Sequence, residues 1–285
     1  MSDHSLLDTL HNLRRPLVMG ILNVTPDSFS DGGAHAEPEA ALVHARRLVA
    51  EGADIIDVGG ESTRPGAEPV DVKEELARVL PVIEACVAQL DVPVSVDTSK
   101  PRVMREATRA GAQMINDVRA LQQRGALKAA AESGAVVTLM HMQGTPRTMQ
   151  TAPHYDSVVD DIMAFFKKRL QACKRAGIPR ERLVVDPGFG FGKTLAHNYT
   201  LLRELYRFTE LGLPVMAGMS RKSMIGDLLD IPVAERQVAS AILAALAAER
   251  GASILRVHDV RETVQAVRLV EATLNLGVES QEHGK

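Results

Sequence analysis

Short apolar runs alternate with longer helical patterns along almost the whole chain, and this alternation limits the folds it can adopt. Candidate strands occur at 17–22, 55–58, 94–96, 114–115, 136–140, 183–185, 215–217 and 254–257. Each is followed by a candidate helix, at 37–51, 72–89, 101–110, 124–133, 155–176, 195–210, 234–250 and 260–276. The strands are apolar almost throughout, which is typical of parallel strands that are buried on both faces.

Eight strand–helix units in a chain of 285 residues predict a single-domain α/β fold, a TIM (β/α)8 barrel. We expect the barrel to span 16–277, with a polar lead-in at 1–15 and a flexible tail at 278–285. An open, doubly wound parallel sheet is the structural alternative. The active site of a barrel enzyme lies at the carboxyl ends of the strands, in the loops that follow them.

Composition and charge exclude several kinds of partner. The formal net charge is −3 at pH 7 and no basic block exceeds three residues, so we expect no binding to nucleic acid or to an anionic membrane. No apolar run approaches the roughly 18 residues of a membrane span, and we expect a cytoplasmic protein. Cys86 and Cys173 lack the spacing of metal ligands, which favours two reduced thiols.

Polar and ionisable side chains are concentrated where the candidate strands end. They are Asn23, Ser62, Thr63, Arg64, Asp97, Asn116, His141, Asp186, Lys222, Arg256 and His258. The opposite ends of the strands are preceded mostly by Gly, Pro and Ala. A barrel without catalytic function has no reason for this asymmetry, so the pattern predicts an enzyme.

These side chains fall into two chemical groups. The first group suits a polyanion such as pyrophosphate. Its members are Arg64, Lys222, Arg256, His258, Asn23, Ser62 and Thr63. The second group, Asp97, Asn116 and Asp186, offers acceptors and an amide that suit a flat heterocycle with several N–H donors. Asn23 also carries a hard oxygen of the kind that Mg²⁺ binds alongside phosphate oxygens.

The first two connections at this end of the barrel, 23–33 and 59–66, are long and polar. They contain Gly32, Gly33 and Gly66, which favour movement of the backbone. Long loops in compact domains are commonly functional lids. We expect both loops to fold over the site when a charged ligand binds.

Seven motifs in chain order carry a family resemblance. They are MGILNVTPDSFSDGG at 19–33, DVGGESTRPG at 57–66, VDTSK at 96–100, INDV at 115–118, DPGFGFGK at 186–193, SRKSMIG at 220–226 and RVHDV at 256–260. Together they resemble the dihydropteroate synthases, a family of pterin-binding enzymes. The resemblance implies a TIM barrel and a transferase of folate biosynthesis. Its reaction would join 6-hydroxymethyl-7,8-dihydropterin pyrophosphate to p-aminobenzoate, forming 7,8-dihydropteroate and pyrophosphate with the help of Mg²⁺.

The resemblance also implies a role for individual residues. The pterin would be bound by Asp97, Asn116, Asp186 and Lys222, with Val118, Met140 and Gly218 as walls. Asn23 would bind Mg²⁺, and pyrophosphate would contact Ser62, Thr63, Arg256 and His258. The p-aminobenzoate pocket, where sulfonamides would compete, would be formed by Thr63, Arg64, Pro65, Phe191, Lys222 and Ser223. Asp31 would help to complete the site, and the family pattern implies a homodimer.

Our mechanistic hypothesis is an SN1-like reaction in which the C–O bond to pyrophosphate breaks first. Arg256, His258 and Mg²⁺ would neutralise the leaving group, and Asp97 would stabilise the pterin cation. With Lys222 these three residues form the predicted catalytic set. Two alternatives stay open: a methyltetrahydrofolate methyltransferase with a similar barrel, and a homologue that binds pterin pyrophosphate without catalysis.

Other interpretations compete at single positions. A lone aspartate after a strand is often a helix N-cap, which we favour for Asp117 and Asp259 but not for Asp97 or Asp186. The stretch 188–194 is not a nucleotide-binding P-loop, since three rather than four residues separate its outer glycines.

Two further polar residues keep two interpretations each. His141 could bind ligand or merely shape a turn. Arg221 could touch ligand or pair with a carboxylate.

Overall fold

The computed structural model describes residues 6–25, 36–62, 66–145 and 148–274 of the chain. The strands in these residues are β1 (Leu17–Asn23), β2 (Ile55–Gly59), β3 (Val94–Asp97), β4 (Met114–Asp117), β5 (Val136–Met140), β6 (Leu183–Asp186), β7 (Met216–Ala217) and β8 (Ile254–Val257). They are ordered β6-β5-β4-β3-β2-β1-β8-β7, and the neighbouring strands are parallel. A parallel bridge between Val185 and Val215 joins the two ends of this sheet. The predicted barrel is therefore confirmed, and the open sheet is excluded.

Helices surround the strands on the outside. Those described are α1 (Leu6–His11), α2 (Ala36–Ala50), α3 (Val72–Gln89), α4 (Pro101–Arg109), α5 (Ala126–Ser133), α6 (Val158–Arg175), α7 (Leu195–Arg203), α8 (Tyr206–Thr209), α9 (Ser223–Leu229), α10 (Gln237–Glu249) and α11 (Val260–Leu274). Short 3-10 helices occur at Arg180–Arg182 and Val233–Glu235. The helix predicted at 195–210 is divided in two, because Glu204 leaves the helical conformation after α7. Helix α9 was not predicted.

Helix α3 shows how the sequence builds the outer ring. Asp71 caps its amino end by accepting a hydrogen bond from the Glu74 backbone N–H at 2.9 Å. Val79, Ile83 and Cys86 recur every three or four residues and are fully buried against the strands. Burying one such valine or isoleucine side chain stabilises the fold by about 1.5–3 kcal/mol. The Cys86 thiol is free, as is that of Cys173, in agreement with the sequence analysis.

The inside of the barrel has two halves of opposite polarity. Its lower half is an apolar cluster of Leu17, Met19, Ile55, Met114, Val136, Val184, Met216 and Ile254. Two residues further along a strand the side chain points the same way, so Ile55 is followed by Asp57 and Ile254 by Arg256. The upper half is therefore polar, and it opens at the carboxyl ends of the strands, an opening that we call the mouth.

Helix α1 lies within the segment that was predicted to be only a polar lead-in. Leu6 and Leu10 are buried in the lower apolar cluster, so the helix closes the end of the barrel opposite the mouth. Three leucines in a helix of six residues make too short a pattern for periodicity to reveal. The predicted tail at 278–285 lies outside the described residues.

None of the helices in the described ranges is both long enough and apolar enough to cross a membrane. A cytoplasmic location stays a prediction.

Candidate active site

Arg256 lies at the centre of the mouth and joins side chains from three other strands. Its Nε donates to Asp57 Oδ2 at 2.7 Å and its Nη2 to Asp97 Oδ2 at 2.8 Å. The Asn116 amide also donates to Asp57 Oδ2, at 3.0 Å. Asp57, Asp97 and Asn116 are buried, and 19% of the Arg256 side chain is exposed. The ends of β2, β3, β4 and β8 thus converge on one guanidinium.

Sequence analysis did not identify Asp57 as a site residue. It lies within the apolar run 55–58, which was assigned to a strand without regard to its one charge. A carboxylate in such a run has to be paired when it is buried, and this signal could have revealed its role. Among the described residues, Asp57 Oδ1 is buried without a hydrogen-bond partner.

Lys222 and Asp186 lie on the other side of the mouth. Lys222 Nζ donates to the Phe189 carbonyl at 2.6 Å and lies 4.6 Å from the centre of the Phe191 ring. Asp186, at the end of β6, is buried and accepts a hydrogen bond from the Gly188 N–H at 2.7 Å. The mouth therefore places a carboxylate, an ammonium group and an aromatic ring side by side.

Burial perturbs the charges of these groups. It raises the pKa of Asp97 to about 7 and also raises the pKa of Asp186, although Arg256 and Lys222 respectively oppose these shifts. Burial lowers the pKa of Lys222 to about 8, and Asp186 opposes that change. Burial also disfavours the charge of Arg256, but Asp57 and Asp97 more than offset this effect and raise its pKa. Such perturbed groups in a cleft are typical of a catalytic site.

Residues predicted as apolar walls pack together. Val118, Met140 and Phe191 form a buried cluster with Met149, which sequence analysis did not identify. Gly218 borders Arg256 and Lys222, since a Cβ there would lie 3.7 Å from Arg256 Cβ and 3.9 Å from Lys222 Nζ. Ser223 begins α9, directly after Lys222, and is exposed.

His258 follows β8 and is oriented by Ser220. The backbone N–H of His258 donates to Ser220 Oγ at 3.1 Å, and the Oγ lies 3.0 Å from His258 Nδ1. When the Ser220 hydroxyl donates to Nδ1, the other ring nitrogen, Nε2, carries the proton of a neutral ring. A protonated Nε2 is a donor for an anionic ligand.

The structure settles the interpretation of two residues near His258. Arg221 makes two hydrogen bonds to Asp259, from Nε at 3.0 Å and from Nη2 at 2.5 Å. Arg221 therefore pairs with a carboxylate, one of its two predicted alternatives. Asp259 stands directly before α11, as an N-cap would, but its carboxylate binds Arg221 rather than the helix.

Asp117 is not a helix N-cap either. Its carboxylate accepts hydrogen bonds from the Ser99 hydroxyl at 2.5 Å and from the backbone of Arg119 and Leu121 at 2.8 and 2.7 Å. These bonds fix the turn after β4, whereas α5 begins only after Gly125. From the sequence alone, an aspartate that caps a turn after a strand cannot be distinguished from one that caps a helix.

The loop after β2 is fastened at its base by Lys100. The Lys100 ammonium binds the carboxylates of Glu61 and of the fully buried Glu75. Glu61 also accepts a hydrogen bond from the Val70 N–H at 3.2 Å, across the loop. The position of Ser62, directly after Glu61, therefore depends on this ion-pair network.

Several predicted site residues lie outside the described ranges. They are Asp31, Thr63, Arg64 and Pro65, together with the loop glycines Gly32 and Gly33. Of the described residues, Asn23, Asp97, Asn116, Asp186, Lys222, Arg256 and His258 all lie at the mouth end of the strands, as expected. Their roles stay predictions.

Asn23 ends β1 beside Gly59. A Cβ at Gly59 would lie 3.7 Å from Asn23 Oδ1 and 3.8 Å from Asp97 Oδ2, so both oxygens border the same small space. Within the described residues no group of three or more His, Cys, Asp or Glu could hold a metal ion. An amide oxygen next to a carboxylate oxygen is the kind of donor pair that would suit Mg²⁺, which takes few protein ligands and completes its shell with phosphate oxygens and water.

Comparisons with known proteins agree with this geometry. Residues 19–258 match the sequence model of the family described as pterin binding enzymes. The dihydropteroate synthase of Escherichia coli (strain K12) is 57% identical over 264 residues, which cover 93% of this chain and 94% of that protein.

Two solved structures are also similar. The Yersinia pestis dihydropteroate synthase in complex with a sulfonamide drug has a TM-score of 0.89 and 55% identity, over 93% of this chain and 96% of that chain. The Xanthomonas albilineans dihydropteroate synthase with 4-aminobenzoic acid has a TM-score of 0.87 and 56% identity, over 91% and 93% of the two chains.

Proposed function

We propose a reaction for this chain, which belongs to the dihydropteroate synthases of the pterin-binding enzyme family. It condenses 6-hydroxymethyl-7,8-dihydropterin pyrophosphate with p-aminobenzoate. The products are 7,8-dihydropteroate and pyrophosphate. The observation that carries the proposal is Arg256, held between Asp57 and Asp97 in the mouth with Asn116 beside them. This arrangement offers acceptors to a heterocycle and cationic donors to a diphosphate in one cavity.

The pterin is recognised through its edge and its faces. Asp97, Asp186 and the Asn116 amide face the ring edge with acceptors and a donor, and Asp57 Oδ1 is a further buried acceptor. Met140 and Val118 supply apolar contact to a flat ring. A site built to pair several N–H groups rejects analogues that leave its buried acceptors unpaired.

Pyrophosphate leaves when its growing negative charge is neutralised. In the described part of the chain Arg256 uses Nε and Nη2 for its carboxylates, so other guanidinium N–H groups can bind phosphate oxygens. His258 adds a donor from Nε2, and Ser62 lies at the same end. Mg²⁺ bound near Asn23 would supply further positive charge to the leaving group.

Asp97 stabilises the pterin cation that remains after the C–O bond breaks. A positive charge beside it lowers the pKa of its carboxyl group from about 7, so the ionised form is favoured as the bond breaks. The aniline nitrogen of p-aminobenzoate is neutral at pH 7 and attacks without a strong base. Lys222, between Asp186 and the Phe191 ring, contacts both substrates.

One assay tests the proposal against its alternatives. Pyrophosphate release from the pterin substrate is measured with and without p-aminobenzoate. Release that requires the aniline supports a synthase. No release, with tight binding of the pterin substrate, indicates a homologue without catalysis. Methyl transfer from methyltetrahydrofolate, in the absence of pyrophosphate release, indicates the methyltransferase.

We also propose that the protein is a homodimer that associates through helix α10 and its neighbours. Val238 and Ile242, one helical turn apart on α10, are 70% and 55% exposed. Leu269 on α11, which packs against α10, is also exposed, and so are Leu228 and Val233, each by at least half. Exposed apolar patches of this kind commonly mark a protein–protein contact. Sedimentation should show a dimer for the natural chain and a monomer for Ile242→Glu; a monomeric natural chain contradicts the proposal.

A further inference from the structure

The loop that joins β6 to α7, residues 187–193, is held by an uninterrupted row of side-chain hydrogen bonds. Four successive backbone carbonyls each accept one. The pairs are Lys222 Nζ to Phe189 O at 2.6 Å, Gln150 Nε2 to Gly190 O at 2.6 Å, Lys193 Nζ to Phe191 O at 2.9 Å and Tyr155 Oη to Gly192 O at 2.8 Å. We call this segment the clamped loop.

The donors come from separate parts of the chain. Lys222 follows β7, Gln150 and Tyr155 lie between β5 and α6, and Lys193 belongs to the loop itself. The Gly190 N–H adds a bond to Asn198 Oδ1 of α7 at 2.7 Å. A loop bonded to three neighbouring elements has little freedom to change its conformation before substrate arrives.

Close backbone approach fixes the clamped loop further. Gly188 and Gly192 have positive φ angles of 72° and 65°. A Cβ at Gly188 would lie 1.9 Å from the His141 carbonyl oxygen, and one at Gly192 would lie 2.6 Å from that of Gln143. Only glycine fits at these two positions, so the loop is pressed against the segment after β5.

Lys193 is the innermost donor and has no role in the mechanism described above. Only 3% of the residue is exposed, and besides Phe191 O its Nζ lies 3.1 Å from His141 Nδ1 and 3.4 Å from His141 O. Burial lowers the pKa of His141 to about 2, so the ring is neutral and its Nδ1 can accept the bond. Burial lowers the pKa of Lys193 well below its ordinary value, although Asp186 opposes this shift. Even the neutral amine has two N–H groups, enough to donate to Phe191 O and His141 Nδ1.

The clamped loop carries Phe191, whose ring lies beneath the Lys222 ammonium. Of the two pterin-binding carboxylates, Asp97 is held by Arg256, whereas Asp186 accepts from the Gly188 N–H at the start of the clamped loop. Gln150, Tyr155 and Lys193 bind carbonyls further along the loop, at Gly190, Gly192 and Phe191, and therefore act mainly on the Phe191 side of the mouth.

We propose that Lys193, Gln150 and Tyr155 are positioning residues that fix the Phe191 ring as a wall for the aromatic amine substrate. They act through the backbone of the clamped loop and set the affinity for that substrate more than the affinity for the pterin. This inference rests on the proposed function, because it assigns the aromatic substrate to the Phe191 side. A loop already ordered in its binding conformation loses less entropy when the ligand binds.

The test compares KM for the two substrates in Lys193→Met and Tyr155→Phe. Lys193→Met removes the N–H donors of Nζ and keeps most of the side-chain length, while Tyr155→Phe removes one hydroxyl. We expect KM for p-aminobenzoate to rise about tenfold and about threefold respectively, while KM for the pterin substrate stays within about twofold. Lys174→Met and Tyr206→Phe, at exposed positions far from the loop, are the matched controls and should leave both constants unchanged.

Hydrogen exchange of the free protein gives a readout that does not depend on activity. Backbone amides 188–193 should exchange faster in Lys193→Met than in the natural chain. If Lys193→Met does not fold, Tyr155→Phe decides the matter. Equal changes in both KM values, or none in a folded variant, would overturn the inference. If amides 188–193 exchange more slowly in the natural chain than in Lys193→Met, but the natural chain releases no pyrophosphate, the proposed function is overturned instead.

Discussion

The lower and upper halves of the barrel interior are built from the same strands and differ in almost every other respect. In β2, Ile55 belongs to the apolar cluster closed by α1, and Asp57, two residues later, belongs to the ion-pair network of Arg256. The same step leads from Met114 to Asn116 in β4. One strand can therefore contribute to stability at its start and to chemistry at its end, since its alternate side chains enter the barrel at different depths.

The upper half contains groups that do not stabilise the fold. Buried ion pairs contribute little net stability, because removing the charges from water costs about as much as their attraction returns. In the described residues, Asp57 Oδ1 in this half is buried without a hydrogen-bond partner. The polar half therefore reflects a requirement of function, and the apolar half compensates for it.

The largest effect is expected from Asp97→Asn, in the upper half. We expect kcat to fall about 100- to 1000-fold, as when one preorganised electrostatic contact to a transition state is lost. Stability should change little, because Arg256 keeps its bond to Asp57. Steady-state kinetics together with denaturant unfolding check both statements. Near-normal turnover would remove Asp97 from the catalytic set.

Ile55→Ala in the lower half should have the opposite effect: it should lower stability and leave KM unchanged. The side chain is fully buried, and its loss should reduce the free energy of unfolding by about 2–5 kcal/mol. Well below the unfolding temperature, KM for both substrates should stay close to that of the natural chain. Urea unfolding and kinetics at low temperature measure the two quantities. A large change in KM would show that the two halves are coupled.

The lowered pKa of Lys222, in the upper half, predicts opposite effects of pH on catalysis and on stability. Its pKa in the folded protein is about 8, below its ordinary value of 10.5. If the ammonium form binds substrate, kcat/KM should fall up to tenfold per unit above pH 8. Stability should move the other way, since between pH 8 and 10.5 the unfolded chain binds the extra proton and unfolding becomes less favourable as pH rises. Lys222→Met should lack this rise in stability, and an identical pH dependence in both chains would contradict the assignment.

The smallest effect is expected at Thr138. Thr138→Val replaces a buried, unpartnered hydroxyl by a methyl group of similar size. We expect the free energy of unfolding to increase by about 1 kcal/mol, because the unpaired polar group is removed. Thermal unfolding measures it, with Thr108→Val as a control, since Thr108 Oγ1 donates to the Met104 carbonyl at 2.8 Å. A loss of stability at Thr138 would show that its hydroxyl is bonded in solution.

The sequence predicted most of the fold because its strands are uniformly apolar and its helices are amphipathic. The errors have local physical causes. Helix α1 was missed because its six residues are too few for a periodic pattern, and the break after α7 depends on the backbone of Glu204. Such features are decided by tertiary packing rather than by periodicity.

The site was predicted to the extent that its residues follow the strands. Asp97, Asn116 and Asp186 were identified in this way, and Arg256 because it stands near the end of the predicted strand 254–257; the structure places all four at one end. Asp57 was not, because it lies inside a strand, where only its partners in space show its role. The bonds of Lys193 join residues that are far apart in the chain, and no spacing in the sequence predicts them.

The closure of the barrel floor by α1 has a practical consequence. Leu6 is anchored at the floor, and α11 runs from the mouth back towards the same side, where Arg15 and Glu271 line one cavity of about 310 Å³. A surface linker or a fused protein attached ahead of α1 therefore approaches the barrel from the side opposite the mouth. Immobilising the enzyme through its amino end should leave substrate entry unobstructed.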